Sequence, residues 1–162
     1  MTATTHAVTV RWLIRRDMDE VMDIERSSFG VPWTEGEFLE FLRQQTNIGM
    51  VAASPAGIRG YVLYELHTRR LHIANLAVAA DSRRCGIATQ MVQRLQDKLS
   101  GNRRSKLTLD VSESNTAGQL FFQRRGFWCS CIRPGFFDGH DAYHMYYQLP
   151  SELSPQRKLE WD

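Results

Sequence analysis

Between an alternating apolar run, Leu71–Val78, and a run with Ile87, Met91, Val92, Leu95 and Leu99 at steps of three and four lies Arg83-Arg84-Cys85-Gly86-Ile87-Ala88. The first run has the period of a strand and the second that of an amphipathic helix, so a glycine-bearing loop must turn one into the other. A helix start offers unpaired N–H groups and the positive end of the helix dipole, which suit it to a phosphate. Gly86 and Ala88 keep side chains clear of that position, and two arginines add charge. Taken alone, the pattern fits a basic surface βα turn as well as it fits a phosphate cradle.

The flanking sequence supplies the rest of a sheet. Val8 to Ile14 alternates as a strand, and Asp17 to Phe29 places Met18, Val21, Met22, Ile24 and Glu25 on helical spacing behind a cap at Asp17 with Glu20 three residues on. Thr34-Glu35-Gly36-Glu37 has the spacing of a capping box for a second short helix with Phe38, Leu39, Phe41 and Leu42 as its apolar face. A Pro32-Trp33 loop joins the two helices. Ile48–Ala53, a turn at Ser54-Pro55-Ala56-Gly57 and Ile58–Leu66 predict a β-hairpin. Beyond Leu71–Val78 and the helix Ile87–Leu99 come a strand at Lys106–Ser112, a helix at Asn115–Arg125 stopped by Gly126, and strands at Phe127–Ile132 and Ala142–Leu149. Antiparallel strands followed by βα units predict an α/β or α+β class with a mixed sheet.

At 162 residues, 43% hydrophobic and 23% charged, the chain is expected to be one globular domain, 1–162, with its core over about 8–150 and flexible tails at 1–7 and 151–162. A formal charge of +2 is too small to imply nucleic acid or a membrane as partner, and the cluster Arg103, Arg104, Lys106, Arg124 and Arg125 comes with no nucleic-acid motif. No apolar run approaches the roughly 18 residues of a membrane span, and the opening MTATTHAV lacks the form of a signal peptide, so a cytoplasmic location is expected. Cys85, Cys129 and Cys131 lack the Cys/His spacing of a zinc site, and no metal is expected. His140 and His144 read as surface or packing histidines, and Cys129 and Cys131 as structural.

In its surroundings, the loop resembles the pyrophosphate loop of the GNAT superfamily of acetyl-CoA-dependent N-acetyltransferases, Q/R-x-x-G-x-G/A after a strand, with Arg83, Gly86 and Ala88 in the three fixed positions. Asn75-Leu76-Ala77-Val78 resembles that family's preceding strand. Asp110-Val111-Ser112-Glu113-Ser114-Asn115, followed by Phe121-Phe122-Gln123-Arg124-Arg125-Gly126-Phe127, resembles its next strand and helix. Pro32-Trp33-Thr34, the pair Ser114-Asn115, and Asp141-Ala142 with Met145 are similar to the RimI type, which acetylates the N-terminal α-amine of a ribosomal protein. The resemblance covers roughly residues 8–150.

The resemblance implies a largely antiparallel mixed sheet, splayed in the middle between the strand ending at Val78 and Lys106–Ser112 and flanked by about four helices. Acetyl-CoA would enter the wedge. Its pantetheine would pair with the backbone of Leu76, Ala77 and Val78, and its pyrophosphate would lie on the amides of Arg84, Cys85, Gly86, Ile87 and Ala88 beside Arg83. Asn115 would bond the pantetheine from the other wall, and Phe122 would pack near the thioester. RimI-like enzymes carry a glutamate base where this chain has Asp110, with Glu113 as a second candidate. Their acidic tyrosine is matched by Phe122, which has no proton to give, so Tyr143, Tyr146, Tyr61, Tyr64 or water must protonate the thiolate, with Tyr143 the preferred substitute. Pro32 and Trp33, together with the hairpin Arg133-Pro134-Gly135-Phe136-Phe137-Asp138-Gly139-His140, would receive the acceptor.

These readings predict direct transfer of an acetyl group from acetyl-CoA to a primary amine, foremost the N-terminal α-amine of a protein or peptide. A small-molecule amine acetyltransferase and a catalytically weak acyl-CoA-binding module are the alternatives. Expected partners are acetyl-CoA, the acceptor amine and a second copy of the chain as a homodimer.

Overall fold

The structure, a computed structural model, describes residues 7–150. The tails expected at 1–7 and 151–162 therefore lie outside the described residues, apart from Ala7. In chain order the elements are β1 (Thr9–Trp12), α1 (Met18–Ser28), α2 (Glu35–Arg43), β2 (Asn47–Ser54), β3 (Gly57–Leu66), β4 (Arg70–Val78), α3 (Ile87–Asp97), β5 (Lys106–Ser112), α4 (Thr116–Arg124), β6 (Trp128–Phe137) and β7 (His140–Gln148). The strands form one sheet in the order β1-β2-β3-β4-β5-β7-β6. Every neighbouring pair is antiparallel except β4 and β5.

Alternation along each strand divides the apolar residues between two faces. On one face Val62, Tyr64, Leu71, Ile73, Leu107, Leu109, Val111 and Met145 pack under α3 and α4 with Ile87, Met91, Leu95, Phe122 and Phe127. On the other, Val51, Tyr61, Leu63 and Ala77 pack under α1 and α2 with Val21, Met22, Ile24 and Phe38. Gly60 allows α3 to sit close, since a Cβ there would stand 3.0 Å from both the Ala77 carbonyl oxygen and Met91 Cε. All five residues predicted on the buried side of α1 are buried, Glu25 among them.

Local chemistry differs from the sequence expectation in three places. Asp17 does not cap α1: its carboxylate accepts the Ile14 N–H at 2.9 Å and both terminal nitrogens of Arg11 at 2.7 and 2.9 Å, while Glu20 reaches across to the Ile58 N–H. Arg11 as a charged, bidentate donor, together with the Ile14 N–H, takes the carboxylate away from the amides of the first turn of α1. Thr34 does cap α2, accepting the Glu37 N–H at 3.1 Å, but Leu39 is exposed and only Phe38 is fully buried. The strand expected to end at Ile132 continues to Phe137, past Pro134 and Gly135, with register shifts against β7. As an edge strand β6 can carry a proline that has no N–H to give.

Candidate active site

The parallel seam between β4 and β5 is short. It pairs Arg70–Ile73 with Lys106–Leu109 and then stops. Beyond it β4 stays with β3 as far as Val78, and β5 stays with β7 as far as Ser112, so the sheet opens into a wedge. An extra residue at Ala74 shifts the β3–β4 register where the opening begins, because Leu63 faces Asn75 while Tyr64 faces Ile73. Bulges bend the strand that carries them. Leu76, Ala77 and Val78 lie on one lip, and Asp110, Val111 and Ser112 on the other.

The loop Arg83–Gly86 ends at the start of α3. Gly86 adopts φ 77° as the residue before the helix, and Arg84 at φ 62° is the non-glycine residue with positive φ among the described residues. A left-handed arginine costs about 1–2 kcal/mol. The backbone N–H groups of Cys85, Gly86, Ile87, Ala88 and Thr89 donate to no acceptor among the described residues. A run of free amides at a helix start is suited to an anion. Arg83 folds back instead, donating to the Val78 carbonyl at 3.2 Å and to Ser28 Oγ at 3.3 Å. Across the wedge, Asn115 caps α4 by accepting the Gly118 N–H at 2.9 Å, which leaves its Nδ2 to donate elsewhere. Phe122 is buried against Phe121 and Phe127 in edge-to-face contacts.

At the apex of the wedge, on the face opposite α3 and α4, Asp110 is surrounded by cationic and imidazole groups. Its carboxylate side chain is 6% exposed, with Oδ1 at 2.8 Å from His144 Nδ1 and 3.2 Å from Arg133 Nε, and Oδ2 at 3.8 Å from His72 Nε2. His72 Nδ1 and Thr108 Oγ1 share a hydrogen bond of 2.8 Å, and the His72 and His144 rings stack at 6.4 Å and 15°. Burial pushes the His72 imidazole below its ordinary value, against the opposing charges of Glu65 and Asp110. Glu113, the other carboxylate considered, is at the surface and closes the hairpin by accepting the Asp141 N–H at 3.3 Å.

Tyr61 and Tyr64 are sealed in the core. Tyr61 donates to Glu25, and burial and that carboxylate together push its phenol far up, while the Tyr64 hydroxyl lies 3.9 Å from Met50 Sδ. Tyr143 is half-buried beside the wedge, paired with Val111, and faces the α3–α4 side; Tyr146 lies farther along β7, under Lys106. Phe136 and Phe137 meet edge to face at 4.9 Å in the hairpin, with the Arg133 guanidinium over Phe136. Trp33 packs against Phe38 and Phe41, and Pro32 is half-buried beside it.

The sequence reading gave no functional role to His72, His144 or Glu25, and named Arg133 only as the first residue of the acceptor hairpin. His72, Arg133 and His144 converge on Asp110 from β4, β6 and β7, and only the strand register brings them there. Glu25, buried at 1% exposure, binds the Trp33 N–H and Asn75 Nδ2, each at 2.9 Å, and the Tyr61 hydroxyl. A carboxylate within the apolar spacing of α1 was its signal.

The chain resembles known proteins along nearly its whole length. It is 28% identical over 148 residues to an uncharacterized N-acetyltransferase of Methanocaldococcus jannaschii, covering 90% of this chain and 95% of that one. It is 23% identical over 133 residues to the ribosomal protein bS18-alanine N-acetyltransferase of Haemophilus ducreyi, covering 82% and 91%. Among solved structures, the ribosomal-protein-S18-alanine N-acetyltransferase of Escherichia coli superposes with a TM-score of 0.79 at 22% identity, covering 93% of this chain and 98% of that one. Arabidopsis thaliana NAA60 in complex with acetyl-CoA superposes with a TM-score of 0.76 at 18% identity, covering 88% and 98%. Residues 18–127 match the acetyltransferase (GNAT) family, which accounts for the split sheet and the open loop before α3: the chain belongs to that family.

Proposed function

We propose that the protein transfers an acetyl group from acetyl-CoA to the N-terminal α-amine of a protein or peptide in the cytoplasm. The observation that carries this reading is the wedge itself, which sets five free amides on one side of the sheet and a buried carboxylate cluster at the apex on the other. Relatives named as ribosomal protein alanine N-acetyltransferases support the acceptor class, and a fold neighbour that holds acetyl-CoA supports the donor.

On this reading the amides of Arg84 to Ala88 hold the pyrophosphate, and Arg83 turns from Val78 to add charge. The backbone of Leu76, Ala77 and Val78 lines the pantetheine, and Asn115 donates to it from α4. Phe122 closes the apolar floor below the acyl group. Pro32, Trp33, Phe136 and Phe137 border the acceptor, whose ammonium loses its proton to the cluster around Asp110. Tyr143 protonates the departing thiolate. The chemistry suits an α-amine: its reference pKa of about 7.7–8.0 asks for little deprotonation near neutrality, against about 10.4 for lysine.

The test is acetyl-CoA turnover against peptides of varied first residue beside a panel of polyamines and other small amines. Peptide α-amines should exceed every small amine in kcat/KM by at least about tenfold, a margin of roughly 1.4 kcal/mol in transition-state binding. A small amine at the top would replace the acceptor class. Tight binding of acetyl-CoA with no turnover on any amine would make the chain a binding module.

A further inference from the structure

The side chains around Asp110 are arranged like an oriented base rather than a lone carboxylate. Asp110 is the first residue of β5 past the last β4–β5 pair, and β7 places His144 directly across from it. An ionised carboxylate only accepts hydrogen bonds, so the 2.8 Å contact from Asp110 Oδ1 requires a proton on His144 Nδ1. In a neutral ring that leaves the lone pair on Nε2, to which no described residue makes a hydrogen bond. Asp110 Oδ1 meanwhile also faces Arg133 Nε, and the side chain is nearly sealed. An imidazole, ordinarily near pKa 6.5, is also a better-matched proton acceptor near neutrality than a carboxylate near about 3.9.

We propose that His144 Nε2 is the base that deprotonates the acceptor amine, and that Asp110 is a positioning residue that fixes the ring and stabilises the imidazolium. This rests on the reading of the wedge as an amine acetyltransferase site. His144 Nε2 takes one proton from the ammonium, and the freed lone pair forms the C–N bond at the thioester carbonyl. The C–S bond then breaks and its electron pair leaves with sulfur. Tyr143 gives its proton to the thiolate and is reprotonated through solvent by the second nitrogen proton, while the imidazolium returns the first to bulk water. The charged and titratable groups facing His144 are Asp110 on β5, His72 on β4, and Arg133 and the register partner Cys131 on β6, with Glu65 beyond His72.

Two measurements on the whole chain test this. Nitrogen-15 NMR of histidine-labelled protein should show neutral His144 protonated at Nδ1, and Asp110→Asn should shift the ring toward the other tautomer. A wild-type ring protonated at Nε2 would overturn the proposal without any acceptor being known. In kinetics, His144→Asn and His144→Gln should bind acetyl-CoA as wild type does yet lose about 100-fold in kcat. The limb of kcat/KM that rises through the imidazole range should vanish with it. If these variants keep that limb while Asp110→Asn loses it, the carboxylate takes the proton itself and the proposal fails. Preference for a small amine would overturn the acceptor class alone, since both measurements then proceed on that amine. A chain that turns over no amine would overturn both.

Discussion

The two sides of the wedge are built from different materials. The α3 side is contiguous backbone: five amides in a row, aimed by the left-handed Arg84 and Gly86, with the Arg83 guanidinium turned away. The β5 side is made of side chains drawn from β4, β5, β6 and β7, none next to another in sequence. Backbone recognition is indifferent to most side-chain changes but intolerant of anything that fills or charges the loop. A side-chain cluster depends on each member's identity, and its chemistry can be retuned one strand at a time.

The largest effect should come from breaking the backbone side. Gly86→Asp keeps a residue type that tolerates φ 77°, and its Cβ would meet open space, so the fold should survive. Its carboxylate would stand where the proposed pyrophosphate lies, and affinity for acetyl-CoA measured by calorimetry should fall more than about 100-fold. Unchanged affinity would detach that loop from the cofactor.

A smaller effect should come from the support beneath the Pro32-Trp33 loop, proposed to border the acceptor. Glu25→Ala leaves the Trp33 N–H, Asn75 Nδ2 and the Tyr61 hydroxyl without their common acceptor, a loss of about 2–4 kcal/mol in urea denaturation. Peptide KM should rise while acetyl-CoA affinity holds, which would sharpen the distinction between the two sides. Equal loss on both would erase it.

The smallest effect concerns pH. Because burial holds the His72 imidazole below its ordinary value, the unfolded chain binds that proton more readily than the folded one. Stability at this site is therefore full above the unfolded value of about 6.5 and declines as pH falls from there through the lower folded value. Denaturation midpoints at pH 7.5 and 5.5 should differ more in wild type than in His72→Asn. An identical dependence would mean that the ring is neutral for no structural reason.

What could be read from sequence follows the same division. The loop before α3 was legible because it is contiguous, and Lys106–Ser112 was placed to the residue because its alternation is local. The Asp110 cluster was not, because His144 and Arg133 come into place only through the β5–β7 and β6–β7 registers. Asp17 misled for a related reason: a cap is a local expectation, and Arg11 supplied a stronger partner from another element. Glu25 was placed on the correct face of α1, yet its partners Tyr61 and Asn75 lie 36 and 50 residues away.

That buried carboxylate works as a key cut for one lock. Turning α1 by a single residue, roughly 100° about its axis, would drive the charge among apolar neighbours with no donor in reach. Apolar side chains on the same helix could trade places at modest cost, but Glu25 admits one rotational setting. Since the same carboxylate holds the Trp33 N–H, that setting is passed on to the first turn of the chain beyond α1. The Pro32-Trp33 loop is thus aligned by the seating of a helix, and its aim is fixed by the fold itself.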